Sequence, residues 1–153
     1  MMDTSEIKSY MKNDRIIRKQ LGDVCAADEL PIHIRYRPRI YIVNTDKRHQ
    51  PGQHWVVFYF PKRGPAEFFD SNGYPPDYYH RRFKRVLVIN GRSYKHNGVK
   101  LQEPGTITCG QFCLFYAYHR CRGYSMNQIV NVLGHPRDNE HIVTYFVRHY
   151  FHM

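Results

Sequence analysis

The middle of the chain alternates short apolar runs with polar turns, a pattern typical of β-strands. The runs RIYIVN (Arg39–Asn44) and HWVVFYF (His54–Phe60) are rich in β-branched and aromatic residues and are bounded by polar or turn-forming residues. After the turn PKRGP, the run AEFFD (Ala66–Asp70) is predicted to return as the second strand of a hairpin. Two further strands are predicted in VLVIN and GVKLQ.

Helical spacing of apolar residues appears before this region. It predicts an N-terminal helix over Thr4–Gln20 with Asp3 or Thr4 as its N-cap. The segment VCAADELP is predicted to form a short turn that stops before Pro31. Later in the chain, the turn SNGYPP leads into a basic helix that begins near Pro76 and runs to about Arg85.

The last third of the chain is predicted to be helical. The predicted helices are Cys109 to about Arg122, a short helix capped by Ser125 that stops at Gly134, and Asp138–Phe151 with Asp138 as N-cap. Strands in the middle with helices at both ends predict an α+β fold. A length of 153 residues suits a single domain over residues 1–153.

Composition narrows the class of protein. Hydrophobic residues make up 42% of the chain and aromatic residues 15%, which is typical of a globular domain. No apolar run approaches the roughly 20 residues that a membrane span needs, and the N-terminus is too polar for a signal peptide. An intracellular, monomeric protein without a membrane partner is therefore expected. Four cysteines in a chain of this length do not suggest a disulfide scaffold.

Basic residues outnumber acidic ones, with 23 Lys and Arg against 13 Asp and Glu and a formal net charge of +10. The segment Tyr78–Lys100 holds seven of the basic residues, interleaved with aromatic residues, and no Asp or Glu. It is either a solvated basic surface or a phosphate-binding surface, and composition does not decide between them. The candidate nucleic-acid contacts are Arg81, Arg82, Lys84, Arg85, Arg92, Lys95 and Lys100.

A cysteine stands where the loop LQEPGTIT becomes a helix. At this position Cys109 would lie beside unpaired backbone N–H groups and the positive end of the helix dipole, both of which stabilise a thiolate. Gly110 leaves room beside the sulfur for a substrate carbonyl. The alternative is a buried cysteine that only packs, an interpretation that suits Cys113 and Cys121, deeper in the same helix.

A thiolate nucleophile needs a base and a group that orients the base. His54 opens one strand of the predicted hairpin, and Asp70 closes the other. Because antiparallel pairing places the beginning of one strand beside the end of the next, both side chains are expected at the same edge of the sheet. An acyl-transfer site also needs donors for the developing oxyanion, and the amide of Gln102 with the backbone N–H of Cys109 could supply two.

These residues, in this order, resemble the adenovirus-type cysteine endopeptidases (the adenain family). The resemblance lies in the segments IVNTDKRHQPGQHW, EFFDSNGY and LQEPGTITCGQFC. It extends more loosely to the SUMO- and ubiquitin-like-protein proteases of the same clan. A protease of a non-adenoviral virus or a virus-related element fits the chain better than an ordinary adenoviral one.

The resemblance implies Cys109 as nucleophile, His54 as general base and acid, Asp70 as orienting carboxylate and Gln102 as oxyanion donor. Trp55 would line one side of a narrow channel that admits only small substrate residues before the scissile bond. The family has a mixed sheet packed by helices, similar to a rearranged papain fold. It cleaves viral precursor polypeptides after Gly-x-Gly or Gly-Gly motifs.

The resemblance also implies DNA as a possible activator, and action during virion maturation in the virion and the host nucleus. It implies no metal and no small-molecule cofactor. Two departures from the family matter. The acidic member is Asp70 where adenoviral enzymes often have Glu. The segment Val86–Leu101 has no cysteine, which excludes a disulfide-linked activating peptide there.

Three other functions stay open from the sequence. A deubiquitinase or SUMO-type protease would share the fold. A non-catalytic nucleic-acid-binding protein would use the basic segment Tyr78–Lys100. A zinc site could be assembled from Cys109, Cys113, His119 and Cys121, although a four-residue Cys spacing on a helix matches no familiar zinc motif.

Overall fold

A computed structural model describes residues 1–50 and 53–151. Pro51 and Gly52, in the predicted loop before His54, and the last two residues of the predicted domain 1–153 lie outside the described residues. The helices are α1 (Thr4–Asn13), α2 (Arg15–Gln20), α3 (Arg81–Gly91), α4 (Cys109–Cys121), α5 (Met126–Val132) and α6 (Pro136–Tyr150). The strands are β1 (Leu21–Cys25), β2 (Arg39–Asn44), β3 (Trp55–Phe60), β4 (Ala66–Phe69) and β5 (Tyr94–His96).

The strands form one mixed sheet in the order β1-β2-β3-β4-β5. The β1–β2 and β4–β5 pairs are parallel, and the two central pairs are antiparallel. The predicted hairpin is confirmed, with Val57 opposite Phe69 and Phe58 opposite Phe68. The chain therefore has the predicted α+β fold, with a mixed sheet and flanking helices.

Both faces of the sheet are covered, so β3 is buried along its whole length. On one face Val57 and Tyr59 pack in a core with residues of α1, α2, α4, α5 and α6. On the other face Val56, Phe58 and Phe60 pack with α3 and with the segment before β2. Burying each large apolar side chain contributes about 1.5–3 kcal/mol, so these two layers hold the edge that carries His54 in place.

The predicted strands VLVIN and GVKLQ are wrong. VLVIN lies in α3, where Phe83, Val86 and Leu87 are fully buried at helical spacing while Val88 and Ile89 face solvent. GVKLQ forms no strand, and the edge strand is Tyr94–His96 instead. A short apolar run fits either a buried strand or one face of a helix, and here packing against the sheet selects the helix.

The N-terminal and basic helices both break where the sequence predicts continuity. Asp14 divides the first into α1 and α2, because its carboxylate accepts hydrogen bonds from the N–H groups of Ile16 and Ile17 and caps α2. The Asp3 N-cap of α1 is confirmed. Strand β1 is not predicted by the sequence. Pro76 opens a short 3₁₀ turn, Pro76–Tyr78, separate from α3.

The C-terminal helices differ less from the prediction. Helix α4 begins at Cys109 and α5 is capped by Ser125, as expected. Helix α6 starts at Pro136 with His135 as its N-cap, so Asp138 lies in the first turn instead of at the cap. Over the ranges described, no helix has the length and apolarity to cross a bilayer.

Candidate active site

The predicted pairing of His54 with Asp70 is present in the structure. Their side chains lie at the same edge of the sheet, where His54 Nε2 is 2.6 Å from Asp70 Oδ1. Asp70 is fully buried and His54 is 8% exposed. A hydrogen bond from Thr45 N–H to the His54 carbonyl continues the β2–β3 pairing and fixes the backbone of the histidine.

The Asp70 carboxylate is saturated with donors. Besides His54, its oxygens accept from the N–H groups of Asn72 and Tyr74 and from the Tyr79 hydroxyl at 2.5 Å. Asn97 holds the Asp70 backbone by accepting from its N–H and donating to its carbonyl. These hydrogen bonds hold the buried carboxylate in a fixed orientation towards His54.

Tyr79 is a functional candidate that the sequence did not identify. The residue appeared in the sequence only as one of several aromatic residues among basic ones, and no local motif separates it from Tyr78. Burial, followed by the charge of Asp70, raises the pKa of Tyr79, so its hydroxyl stays protonated and donates. Its ring also stacks on that of His54, with centroids 6.0 Å apart.

The environment of His54 favours the imidazolium. Burial opposes the charged form, but the interactions of the ring with Asp70 and then with Cys109 outweigh it. The net effect raises the pKa of His54 from 6.5 to about 9. Because Nε2 is bound to Asp70, Nδ1 is the ring nitrogen left for the sulfur.

Cys109 is the first residue of α4 and lies in the same cleft as His54. The cleft has a volume of about 610 Å³, and its lining includes His54, Asn72, Gln102 and Cys109. Thr108 is the N-cap of α4, but its side chain makes no capping hydrogen bond to the helix. The N–H groups of the first turn therefore lack a side-chain acceptor at the cap, and they lie next to the sulfur.

Gln102 lies in this cleft, but its amide is engaged with the chain itself. Nε2 donates to the Thr106 carbonyl at 3.1 Å and to the Thr106 hydroxyl at 3.0 Å. Oε1 accepts from the Ser71 hydroxyl at 2.6 Å. Gln102 thus lies in the same cleft as Cys109, with its amide donors directed at the Thr106 loop.

The N-terminal residues Met1 and Met2 lie against the Cys109 thiol and Gly110. Met1 Sδ is 3.6 Å from Cys109 Sγ, and the Trp55 indole N–H donates to the Met2 carbonyl at 3.0 Å. A Cβ atom on Gly110 would lie 3.0 Å from Met2 Sδ, so a side chain there would press on Met2. Trp55 and Gly110, the two predicted substrate-binding residues, are both in contact with this segment.

Only part of the basic set is brought together. Arg81, Arg82 and Arg85 line one pocket of about 290 Å³ at the start of α3. Lys84 is paired with Asp77 at 3.0 Å in an exposed ion pair. The remaining three predicted contacts lie on other elements or at the end of α3: Arg92, Lys95 and Lys100.

The residues of the alternative zinc site are not grouped as ligands. Among residues 1–50 and 53–151, no three His, Cys, Asp or Glu side chains could hold a metal ion together. Cys113 lies deep in the core, and His119 Nδ1 is hydrogen bonded to the Phe115 carbonyl.

Comparisons with known proteins point to viral proteases. A protein of Acanthamoeba polyphaga mimivirus described as "Putative thiol protease R355" is 31% identical over 107 residues, which cover 64% of this chain and 31% of that protein. The crystal structure of the ASFV pS273R protease matches with a TM-score of 0.62 and 18% identity, covering 94% of this chain and 66% of that one. The central domain of the Lpg1148 protein from Legionella pneumophila matches with a TM-score of 0.50 and 15% identity over 97% of this chain and 95% of that one.

No family model matches the sequence. The chain spans about a third of the length of the mimivirus relative and 66% of the pS273R protease. At 18% identity the structural match establishes the fold alone, which is shared with the ASFV pS273R protease. The finer resemblance to the adenovirus-type family stays a prediction.

Proposed function

We propose that this protein is a cysteine endopeptidase in which Cys109, His54 and Asp70 form the catalytic triad. The observation that carries the proposal is the buried His54–Asp70 pair, which lines the same cleft as a thiol at the start of a helix. The pS273R-like fold and the thiol protease relative support the same reaction class.

The proposed reaction follows from the protonation of this pair. The Cys109 thiolate attacks the scissile carbonyl carbon and forms a C–S bond, while the carbonyl oxygen becomes an oxyanion. The oxyanion is stabilised by the backbone N–H of Cys109 and by Gln102, once its amide leaves Thr106. The His54 imidazolium then gives its proton to the leaving amine as the C–N bond breaks. Water hydrolyses the thioester with neutral His54 as base.

The proposed substrates are viral precursor polypeptides cleaved after glycine. Trp55 and Gly110 flank the space beside the sulfur, where Met1 and Met2 now lie. A substrate would displace these two residues, and a narrow passage between an indole and a helix start favours residues without side chains. By the adenovirus-type resemblance, the setting would be virion maturation, in the virion and the host nucleus.

The first test is selective labelling of the nucleophile. Burial, the first cause in each case, raises the pKa of Cys25 and of Cys121 to about 12 and raises that of Cys113 well above its usual range. A glycinal peptide or iodoacetamide at neutral pH should therefore modify Cys109 first. Cys109→Ala should abolish hydrolysis of a Gly-Gly peptide, whereas the matched variant Cys121→Ala should retain it. Preferential labelling of Cys25 or Cys113 would overturn the assignment.

Reporter substrates separate this proposal from its alternative within the same fold. Short Gly-Gly peptides should be cleaved at least as well as ubiquitin or SUMO C-terminal reporters. Much faster hydrolysis of a ubiquitin or SUMO reporter would make the protein a deubiquitinase or SUMO-type protease instead.

We also propose that DNA binds the basic segment and activates the enzyme. Three arginines of α3 share one pocket, which supports a phosphate-binding role. Binding should be independent of sequence and should weaken steeply as salt rises. Changing Arg81, Arg82 and Arg85 to Glu should lower the affinity by orders of magnitude and leave peptide hydrolysis without DNA unchanged. Binding insensitive to salt would contradict the proposal.

A further inference from the structure

The loop between Gln102 and Cys109 is fastened to the C-terminal helix by a single carboxylate. Glu140, on α6, accepts from the Glu103 N–H at 3.0 Å. The Thr106 hydroxyl lies 2.9 Å from the same carboxylate and 2.7 Å from the Glu103 carbonyl, and its proton is shared between them. The second oxygen of Glu140 accepts a short hydrogen bond from the Thr108 hydroxyl. The three contacts span the whole loop from the residue after Gln102 to the residue before Cys109.

Its neighbour Asn139 secures the start of the same loop. Asn139 is fully buried, and its amide donates to the Leu101 carbonyl at 3.0 Å. It also bonds to both the N–H and the carbonyl of Gly134, which fixes the beginning of α6. Glu140 is thus presented to the loop from a rigid helix.

The contact with Thr108 matters most for chemistry. A threonine at an N-cap ordinarily accepts a hydrogen bond from an N–H group in the first helical turn. Here the Thr108 hydroxyl is turned to Glu140, and no capping hydrogen bond forms. A carboxylate only accepts, so it fixes the direction in which this hydroxyl points. The first-turn N–H groups of α4 are consequently left for another acceptor.

We propose that Glu140 is a positioning residue for catalysis, which holds the Thr108 hydroxyl away from the start of α4 so that the N–H groups there receive the substrate oxyanion. This inference rests on the proposed function, since only a reaction with an oxyanion needs those donors. Glu140 touches neither the thiol nor the histidine, and it acts through Thr108 and the loop.

The test uses the full chain and the variant Glu140→Ala, with Asp138→Ala as a matched control on the exposed side of the same helix. Glu140→Ala should lower kcat on a Gly-Gly peptide by about 10- to 100-fold, the range expected for misplaced oxyanion donors, with little change in KM. Affinity for a glycinal peptide should fall by a similar factor, because its hemithioacetal carries the same oxyanion. Alkylation by iodoacetamide should fall much less, since displacement at a saturated carbon forms no oxyanion and depends on these N–H groups only through the thiolate.

A second substitution isolates the role of Thr108. In the double variant Glu140→Ala/Thr108→Val the valine cannot cap the helix, so most of the lost kcat should return. If Glu140→Ala does not fold, as judged by thermal melting, Thr108→Asn keeps Glu140 and introduces a strong capping residue. It should lower kcat and glycinal affinity by much more than it lowers the rate of alkylation.

Several results would overturn the inference. They are a kcat for Glu140→Ala equal to that of Asp138→Ala, a parallel loss of alkylation, and no recovery in the double variant. Failure of the proposed function looks different. In that case the unmodified protein would neither hydrolyse the peptide nor show preferential alkylation of Cys109, and both proposals would fall together.

Discussion

Replacing Asp70 by Asn tests how much the buried carboxylate contributes to catalysis. The pKa of His54 rises from 6.5 to about 9 in the folded protein, and each pKa unit corresponds to about 1.4 kcal/mol. The site therefore stabilises the imidazolium by about 3 kcal/mol net of burial, with Asp70 the first contributor in favour of the charge. Without that charge, the pKa of His54 should fall to near its ordinary value, because burial then opposes only the contribution of Cys109.

In Asp70→Asn, the asparagine amide also fits the hydrogen-bond donors of the site less well than the aspartate carboxylate does. If its oxygen faces His54 and Asn72, its NH₂ group faces the Tyr74 N–H and the Tyr79 hydroxyl, both of which donate to the carboxylate. The Tyr79 hydroxyl can reverse its direction, but the Tyr74 N–H cannot. A loss of about 3 kcal/mol corresponds to about a hundredfold in kcat/KM at neutral pH.

The assay is the pH dependence of kcat/KM on a Gly-Gly peptide. The imidazolium is the acid that protonates the leaving amine, so activity of the unmodified protein should decline as the pH rises through about 9. In Asp70→Asn this decline should move to near pH 6.5. The exposed control Asp77→Asn, which weakens a surface ion pair with Lys84, should behave as the unmodified protein. An unshifted decline in Asp70→Asn would refute this account of the pair.

Three other substitutions test neighbouring parts of the site. Tyr79→Phe removes a hydrogen bond to a buried carboxylate and should cost about 1.5–3 kcal/mol in urea unfolding; an unchanged unfolding midpoint would contradict a donor role. Gln102→Ala should lower kcat by about 10²–10³ if its amide reaches the oxyanion, and an unchanged kcat would leave Gln102 a loop anchor only. Because the folded pKa of His54 is raised, its imidazolium adds stability that is complete below pH 6.5 and lost as the pH rises through about 9. The melting temperature of the unmodified protein should exceed that of His54→Gln most at pH 6, and an equal difference at pH 10 would argue against the raised pKa.

The half of the site on the hairpin could be predicted because it depends on local pattern. The apolar runs on either side of PKRGP are bounded by turn residues, and antiparallel pairing leaves one place for the residue before β3 and the residue after β4. The position of Cys109 could be predicted equally well, since the Pro/Gly loop before an apolar run marks a helix start. In both cases turn-forming residues stand directly beside an apolar run in the sequence.

The parts that could not be predicted depend on contacts between distant segments. VLVIN has the composition of a strand and becomes helix because Phe83, Val86 and Leu87 pack together on the sheet. Glu140 resembles any other helical glutamate until the fold brings its helix over the loop of Thr106 and Thr108. Nothing in the local sequence of either segment carries that information.

The buried residue Ser71 links the hairpin, which carries His54 and Asp70, with the loop that leads from Gln102 to Cys109. It follows Asp70 directly, and its carbonyl accepts from the N–H groups of Leu101 and Gln102 at 2.8 and 2.9 Å. Its hydroxyl donates to the Gln102 side chain. The carboxylate that orients His54 and the loop that leads to Cys109 therefore share a backbone pairing. Because this pairing is buried and not part of a surface loop, a shift of the turn after β4 would move Asp70 and Gln102 together and preserve their relative placement.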